Sequence, residues 1–327
     1  MQKKVLITGA SGFVGYHLIE QALACGYNVY AAVRRSSSVD HLKAFDVNYT
    51  HLNYGDVEAM RKDILENGYD YIIHASGTTK AKSLEDYNLI NAEYSRNLAL
   101  ASVGTQVKKF VFVSSLAAIG PLEDVNGRIT ANQSPKPVTS YGVSKLQAER
   151  YLKEIDGLPL LVIRPTAVYG PREKDIFILF NSINKGLEPY IGRFDQRLSF
   201  VYVKDLAAVI LRALESSLTQ QSYNISDGQA YDRFALADYA KSLLSKKTIK
   251  FHIPLILVRL LASLLDALYA KSTATPALNK EKLAELTAVN WICDVEKARM
   301  ELGYVPQYNL AQGLAETMKW YKEHQWL

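Results

Sequence analysis

The feature that most limits how this 327-residue chain can fold lies within its first fifteen residues. The short apolar run Lys3-Lys4-Val5-Leu6-Ile7-Thr8 ends in Gly9-Ala10-Ser11-Gly12-Phe13-Val14-Gly15, and helical periodicity runs from Ser11 to Ala24. Strand, tight glycine turn and helix in that order let the backbone approach a ligand closely. The first turn of the helix presents unbonded N–H groups and the positive end of its dipole, which suits a pyrophosphate. The spacing is GxxGxxG rather than GxGxxG, and a glycine triplet by itself also serves plain helix packing. Its position in the first strand-to-helix turn favours a dinucleotide. Gly9, Ser11, Gly12, Phe13, Val14 and Gly15 are the candidate contacts.

The same rhythm continues along the chain. Val29–Val33, Val47–Leu52, Tyr71–Ala75, Phe110–Val113 and Leu160–Arg164 read as further short strands, with helical segments at Val57–Glu66, Leu84–Ser102 and Tyr141–Glu154. Strands alternating with helices predict an α/β fold, a Rossmann-type doubly wound parallel sheet that binds ligands at the carboxyl ends of its strands. After Pro171 the pattern changes, with strand-like pieces at Phe200–Val203, Tyr223–Ile225 and Ile249–His252. The expectation is a dinucleotide-binding unit over residues 1–170 that also carries the catalytic groups. Residues 171–327 would form a smaller mixed α/β C-terminal lobe for the substrate, with some segments returning to the main sheet. Asp294 can cap a helix reaching Met300, Gly303 suits its end, and Leu310–Lys322 forms a last helix.

An acidic residue at the end of the second strand would bond the ribose 2′-OH of NAD, whereas arginine would accept the 2′-phosphate of NADP. Here Val29-Tyr30-Ala31-Ala32-Val33 runs into Arg34-Arg35-Ser36-Ser37-Ser38, with no carboxylate before Asp40. A guanidinium fork and serine hydroxyls favour NADP(H), with NAD(H) as the alternative. A merely solvated basic loop is the structural reading of Arg34 and Arg35. Asp56 and Val57 follow the third strand, placed to meet the adenine edge. Ala75, Ser76 and Gly77 end the fourth strand, where backbone must come close to the cofactor.

Tyr141-Gly142-Val143-Ser144-Lys145 puts a phenol and an ammonium four residues apart on one helix face. With 21 tyrosines and 24 lysines, about 1.5 such spacings arise by chance, so position decides the matter. This one is unique in the chain and follows Val113-Ser114-Ser115 at the end of the fifth strand. Tyr141 can donate its proton to a carbonyl oxygen as hydride arrives, and Ser115 can hold that oxygen. Oxidation in the other direction needs the phenolate, only about 0.1% populated at neutral pH, which Lys145 and the nicotinamide charge would have to favour. A surface Tyr–Lys pair and a helix-capping serine are the structural reading.

The net charge of +5 is spread along the chain, which argues against a nucleic-acid surface. Cys25 and Cys293 suit neither a disulfide framework nor a zinc site, and no metal is expected. Four apolar or near-apolar residues before Gly9 make no signal-peptide core, so a reducing, cytoplasmic setting is expected. Ile253–Ala270 is the only long apolar stretch, and Arg259 and Asp266 interrupt it before spanning length. It reads as an amphipathic helix whose face either covers a hydrophobic substrate or touches a membrane surface. An ordinary buried helix is the favoured expectation.

Together these residues resemble the extended short-chain dehydrogenase/reductase family over nearly the whole chain. The resemblance rests on the glycine loop, Asp56, His74-Ala75, Asn91, Val113-Ser114-Ser115 and Tyr141-Gly142-Val143-Ser144-Lys145. It continues through Arg164-Pro165-Thr166-Ala167-Val168-Tyr169-Gly170-Pro171 and Phe200-Val201-Tyr202-Val203-Lys204-Asp205. It implies a Ser115–Tyr141–Lys145 site, Lys145 on the cofactor ribose, and backbone contacts near Pro165 to Val168. Pairing through the helix of Tyr141 is common in that family, so a homodimer is an expectation.

Departures from the pattern narrow the activity. Leu116-Ala117 stands where sugar dehydratases carry Asp-Glu, and Ala167 stands where many sugar epimerases carry Asn. Arg34 and the apolar Pro254–Ala270 segment resemble the hydroxysteroid dehydrogenase-like and dihydroflavonol reductase-like branch. The expected activity is an NADP(H)-dependent oxidoreductase interconverting carbonyl and alcohol on a moderately apolar small molecule. A nucleotide-sugar epimerase or reductase is the alternative, since Arg193 and Arg197 lie where sugar-nucleotide members place an arginine against the diphosphate.

Overall fold

Every side chain of Val5-Leu6-Ile7 is fully buried, which a strand achieves only when both of its faces are covered. The computed structural model describes residues 2–269, 272, 276 and 278–327. Its first half runs β1 (Lys4–Thr8), α1 (Phe13–Ala24), β2 (Asn28–Ala32), β3 (Asn48–Thr50), α2 (Val57–Asn67), β4 (Tyr71–His74), α3 (Leu84–Asn88), α4 (Tyr94–Ser102), β5 (Lys109–Val113), α5 (Ser140–Lys153) and β6 (Leu160–Pro165). The second half runs β7 (Ala167–Tyr169), α6 (Asp175–Asn184), β8 (Leu187–Ile191), β9 (Arg197–Leu198), β10 (Phe200–Tyr202), α7 (Val203–Glu215), β11 (Gln221–Ile225), β12 (Tyr231–Asp232), α8 (Ala235–Leu244), β13 (Ile249–Ile253), α9 (Leu255–Tyr269), α10 (Lys280–Thr287), α11 (Glu296–Leu302) and α12 (Leu310–Glu323).

Seven strands form one parallel sheet in the order β11-β6-β5-β4-β1-β2-β3. Alternation along each strand feeds two cores. Val5, Ile7, Val111 and Ile163 pack with Leu18, Ile19, Leu206 and Ile210 of α1 and α7. Leu6, Ile72, Phe110 and Val162 pack with Ile64, Leu98 and Leu152 of α2, α4 and α5. Strand order reverses between β1 and β4, and a crevice opens there at the carboxyl ends of the strands. The expected α/β parallel sheet is therefore present. Residues 221–225 lie in the main sheet beside β6.

The lobe is mixed. β7 and β10 make one parallel ribbon, β8 and β13 another, and β9 and β12 an antiparallel one. Its core gathers Tyr169, Phe180, Tyr190, Tyr202, Leu314 and Tyr321. Gly303 ends α11 in the left-handed conformation at φ +59, as its place after Leu302 predicts.

One expectation is refined and another needs correction. The helix predicted over 84–102 runs without a break but widens into a π-helical turn at Leu89–Glu93. There the buried Asn91 side chain bonds Thr78 and Ser144; such turns in helices often mark functional sites. The apolar helix expected to be buried is not: α9 buries only Val258 and Ala262, while Ile256, Leu257, Leu260, Leu261, Leu264 and Leu268 are 48–66% exposed. A helix packed along one side can bury only one sector, and apolar residues extend well past it. The last predicted residue of that stretch, Ala270, lies outside the described residues. Among the described residues no helix is long and apolar enough to cross a membrane.

Candidate active site

The glycine loop, Arg34, Asp56, Ala75 to Gly77, Ser115 and Pro165 each lie at or just past the carboxyl end of a parallel strand, and Lys145 is brought to the end of β5 on α5. Gly9 follows β1 at φ +68, and a Cβ there would sit 2.7 Å from Ala75 O. A Cβ on Gly15 would sit 2.1 Å from Gly9 O. Only glycines let loop, helix and β4 end come this close. Gly12 holds an extended conformation, so α1 begins at Phe13 rather than Ser11, and no side chain caps it. By contrast Asp56, Ser83, Thr139, Asn279 and Asn309 cap α2, α3, α5, α10 and α12 with side-chain oxygens. An uncapped, partly exposed first turn facing a crevice between two strand ends fits the pyrophosphate of a dinucleotide.

A buried network locks that crevice. His74 bridges Thr8 Oγ1 and Ser95 Oγ, each at 2.8 Å, and the Ser76 N–H donates to Thr8 Oγ1 at 3.1 Å. Burial, followed by the Lys145 charge, pulls the His74 imidazole down to about 3, so it stays neutral and structural. Gly77 is exposed, and a Cβ there would lie 2.9 Å from Asn91 Oδ1 and 3.7 Å from Lys145 Nζ. The loop after β4 therefore sits directly against α5.

Thr139 caps α5 by accepting from the Gly142 N–H at 3.0 Å, and Gly142 packs under Ala117 O. The far half of α5 is fixed by Glu149. It accepts from Ser114 Oγ at 2.6 Å and from Arg164 Nε at 2.8 Å, with all three residues buried. This joins the ends of β5 and β6 to one helix and sets the azimuth of Tyr141 and Lys145, two turns and one turn earlier. Lys145 Nζ donates to Val113 O at 2.8 Å and lies 4.5 Å from the Phe112 ring centroid. Burial lowers its ammonium to about 8, with Glu149 acting in the opposite direction.

Tyr141 and Ser115 are both half-buried, so both remain reachable from the cleft. Burial pushes the Tyr141 phenol up to about 12; a hydrogen bond with Ser115 acts in the opposite direction, and Glu285 and Tyr87 add to the rise. The arrangement holds a neutral phenol and a serine hydroxyl side by side, an arrangement suited to delivering a proton to an oxygen.

The pattern that defines the NAD-dependent epimerase/dehydratase family matches residues 5–226, spanning the glycine loop, Ser115, Tyr141 and Lys145. The chain belongs to that family. It is thereby an NAD(P)-dependent enzyme of the extended short-chain dehydrogenase/reductase type. A UDP-glucose 4-epimerase of Vibrio cholerae is 25% identical, the alignment covering 97% of this chain and 95% of that protein. The decarboxylating sterol-4-alpha-carboxylate 3-dehydrogenase of Dictyostelium discoideum is 27% identical, over 96% and 99%. Among solved structures, a UDP-glucose 4-epimerase of Thermotoga maritima crystallised with UDP-glucose superposes with a TM-score of 0.81 at 22% identity, covering 98% and 99% of the two chains. Epimerases and dehydrogenases thus both stand among its relatives.

Within this epimerase/dehydratase framework the remaining candidates take clear places. Pro165 and Val168 stand at the end of β6 and in β7, where the Thr166 N–H donates to Ile225 O. Asp56 uses one carboxylate oxygen to accept from the Ala59 N–H at 2.9 Å, opening α2 at Val57. Arg34 and Arg35 are exposed past the end of β2, and among the described residues no carboxylate is paired to them. Arg193 and Arg197, before and in β9, are likewise exposed and without an ion pair among the described residues.

Four residues of the site escaped the sequence reading of its contacts. Asn91 splints Thr78 to Ser144, and only the family resemblance signalled it. Tyr87 places its ring edge against Tyr141, centroids 6.4 Å apart. Glu281 of α10 accepts from the Ser140 N–H at 2.9 Å and from its hydroxyl, so the lobe holds the first turn of α5. Arg172, at φ +76, lies 4.1 Å over the Tyr16 ring beside the glycine loop. Nothing in local spacing announces the last three.

Proposed function

We propose that the chain is an NADP(H)-dependent oxidoreductase interconverting a carbonyl and an alcohol on a moderately apolar small molecule, with Ser115, Tyr141 and Lys145 as its catalytic residues. The reading is carried by the neutral phenol of Tyr141 beside Ser115 at the open end of β5. When bound, the dinucleotide supplies or accepts hydride. In reduction, Ser115 holds the substrate oxygen and Tyr141 gives it a proton, which solvent then restores to the phenol. With the phenol raised to about 12, this direction has its donor ready throughout the neutral range. Lys145, within reach of Gly77 and the cleft, places positive charge where ribose hydroxyls would lie.

Arg34 and Arg35 support the phosphorylated cofactor: two free guanidinium groups and no carboxylate before Asp40. Gly9, Ser11, Gly12, Phe13, Val14 and Gly15 would cradle the pyrophosphate. Asp56, Val57, Ala75, Ser76, Gly77, Pro165 and Val168 would line the adenine and nicotinamide halves. Leu116-Ala117 leaves no acid beside Ser115, and the exposed Ala167 offers no amide to a sugar nucleotide. Residues up to 170 carry the cofactor in this reading, and the rest shape the substrate pocket. A homodimer paired through α5, and a reducing cytoplasmic setting suited to the free Cys25 and Cys293, belong to it as well.

The alternative, a nucleotide-sugar epimerase or reductase, is favoured by one observation: Arg197 offers an exposed guanidinium with no acidic partner among the described residues. Loss of nicotinamide absorbance with steroid-like or aromatic ketones, and none with UDP-sugars, is the expected result. Turnover of a UDP-sugar without added cofactor would overturn it. Arg34→Ala should weaken NADPH far more than NADH, and equal effects would return the arginine to a solvated role.

A further inference from the structure

The two-stranded ribbon of β8 and β13 has one wholly apolar face. Leu187, Pro189 and Ile191 alternate to the same side as Ile249, Phe251 and Ile253, in register. Glu188, Tyr190 and His252 take the other side, where Lys250 lies 3.4 Å from the Phe234 ring centroid. Helix α9 covers only one end of the apolar face, packing Val258 and Ala262 on Ile191 and Ile253. At the other end Leu187, Ile249 and Phe251 are 43%, 71% and 38% exposed. The outer side of α9 continues this surface through Ile256, Leu257, Leu260, Leu261, Leu264 and Leu268.

On a helical wheel those six residues span a sector of about 140° at 100° per residue. Val258, Ala262 and Leu265 lie next to that sector, and only Arg259, Ser263 and Asp266 form a polar stripe. A patch this large on one face calls for a covering partner. Its chemistry is indicated by charge. No Asp or Glu occurs between Asp238 and Asp266, a stretch that holds Lys246, Lys247, Lys250 and Arg259 besides Lys241, which is paired with Glu188 and Asp238. Lys246 and Lys247 are exposed, form no ion pair among the described residues, and lead directly into Ile249. Lys185 stands beside Leu187 on the neighbouring strand. Asp266 faces the polar stripe, accepting from the Lys280 N–H at 3.3 Å.

We propose that α9 and the open end of the β8–β13 ribbon form a docking surface for an anionic lipid bilayer, with α9 lying in the plane of the interface. Because α9 packs on the ribbon through Val258 and Ala262 and its outer apolar side continues the ribbon's open end, the helix lies along the interface. A second copy is a poorer occupant, because a two-fold interface here would bring Lys246 and Lys247 toward their own equivalents. The docking is independent of the reaction that the cleft performs.

Co-sedimentation of the full chain with vesicles of phosphatidylcholine, with and without phosphatidylglycerol, tests it. The chain should bind the mixed vesicles at least tenfold more tightly than the neutral ones, and added salt should weaken binding. The double change Lys246→Gln and Lys247→Gln should cost about fivefold per cation removed. Leu260→Asp with Leu264→Asp, both at exposed positions, should abolish binding while leaving the thermal midpoint unchanged. Equal binding to both vesicles, or binding indifferent to the leucine changes, overturns the proposal. So does a chain that stays in the supernatant and sediments in the ultracentrifuge as a dimer dissociated by the leucine changes.

Discussion

Gly15→Ala is the sharpest test of the cofactor cradle. The new methyl would sit 2.1 Å from Gly9 O and 2.8 Å from both Gly9 C and Ala10 Cα, all backbone atoms that cannot rotate away. An ordinary contact needs α1 to withdraw by about 1 Å or more. Overpacking of this kind costs about 1–3 kcal/mol of stability. The same withdrawal moves the N–H groups of the first turn away from the pyrophosphate. Losing one charge-assisted hydrogen bond of about 1.5–3 kcal/mol weakens binding roughly 10- to 100-fold. Two controls separate the causes. Gly12→Ala has ordinary φ and its nearest contact at 3.1 Å, and Gly26→Ala has φ +79 with nothing within 4 Å. The first should bind nearly as wild type, and the second should lose stability alone. Fluorescence titration with NADPH, paired with thermal unfolding, reads both quantities. Binding by Gly15→Ala within twofold of wild type would refute the packing argument.

Three further outcomes follow from the geometry around α5. Tyr141→Phe should cut turnover by about two orders of magnitude or more while leaving cofactor affinity nearly intact; lost affinity would make the residue structural. Lys145 titrates at about 8 in the folded protein against 10.5 as a free side chain, so the unfolded chain binds more protons between those values. Stability should therefore rise with pH through that window, by up to about 3 kcal/mol from this group. Lys145→Met should remove that portion, and an identical pH slope in both proteins would contradict it. Glu149→Ala strands the buried Arg164 guanidinium, and denaturant titration should show a loss of about 3–5 kcal/mol; a loss below about 1 kcal/mol would mean the pair does not position the helix.

Much of the fold is legible in local pattern because its signals are short-range. Val5-Leu6-Ile7 followed by Gly9 specifies strand and turn with no help from elsewhere, and Gly303 ends α11 where its φ requires. The positions of Ser115 at the end of β5 and of Tyr141 and Lys145 one turn apart on α5 were legible because a strand end and a four-residue helical repeat are properties of neighbours. The wide turn at Leu89–Glu93 was not, since it depends on Asn91 reaching Thr78 and Ser144, contacts 13 and 53 residues away. Edge placement misled in the same manner: the expected strand 47–52 shrank to Asn48–Thr50, two of its three residues exposed at the sheet margin.

The sequence alone determined the sheet, the glycine turn after β1 and the placing of Tyr141 and Lys145 on one face of α5, because backbone conformation and periodicity are set by residues a few positions apart. Tertiary structure alone decided three things. Burial pushes the Tyr141 phenol up and outweighs its hydrogen bond with Ser115. Glu281 of α10 reaches back to hold the first turn of α5 at Ser140, across 141 residues. And the leucines of α9 face outward, because apolar composition states only that a surface avoids water, whereas what covers that surface depends on where the rest of the chain goes.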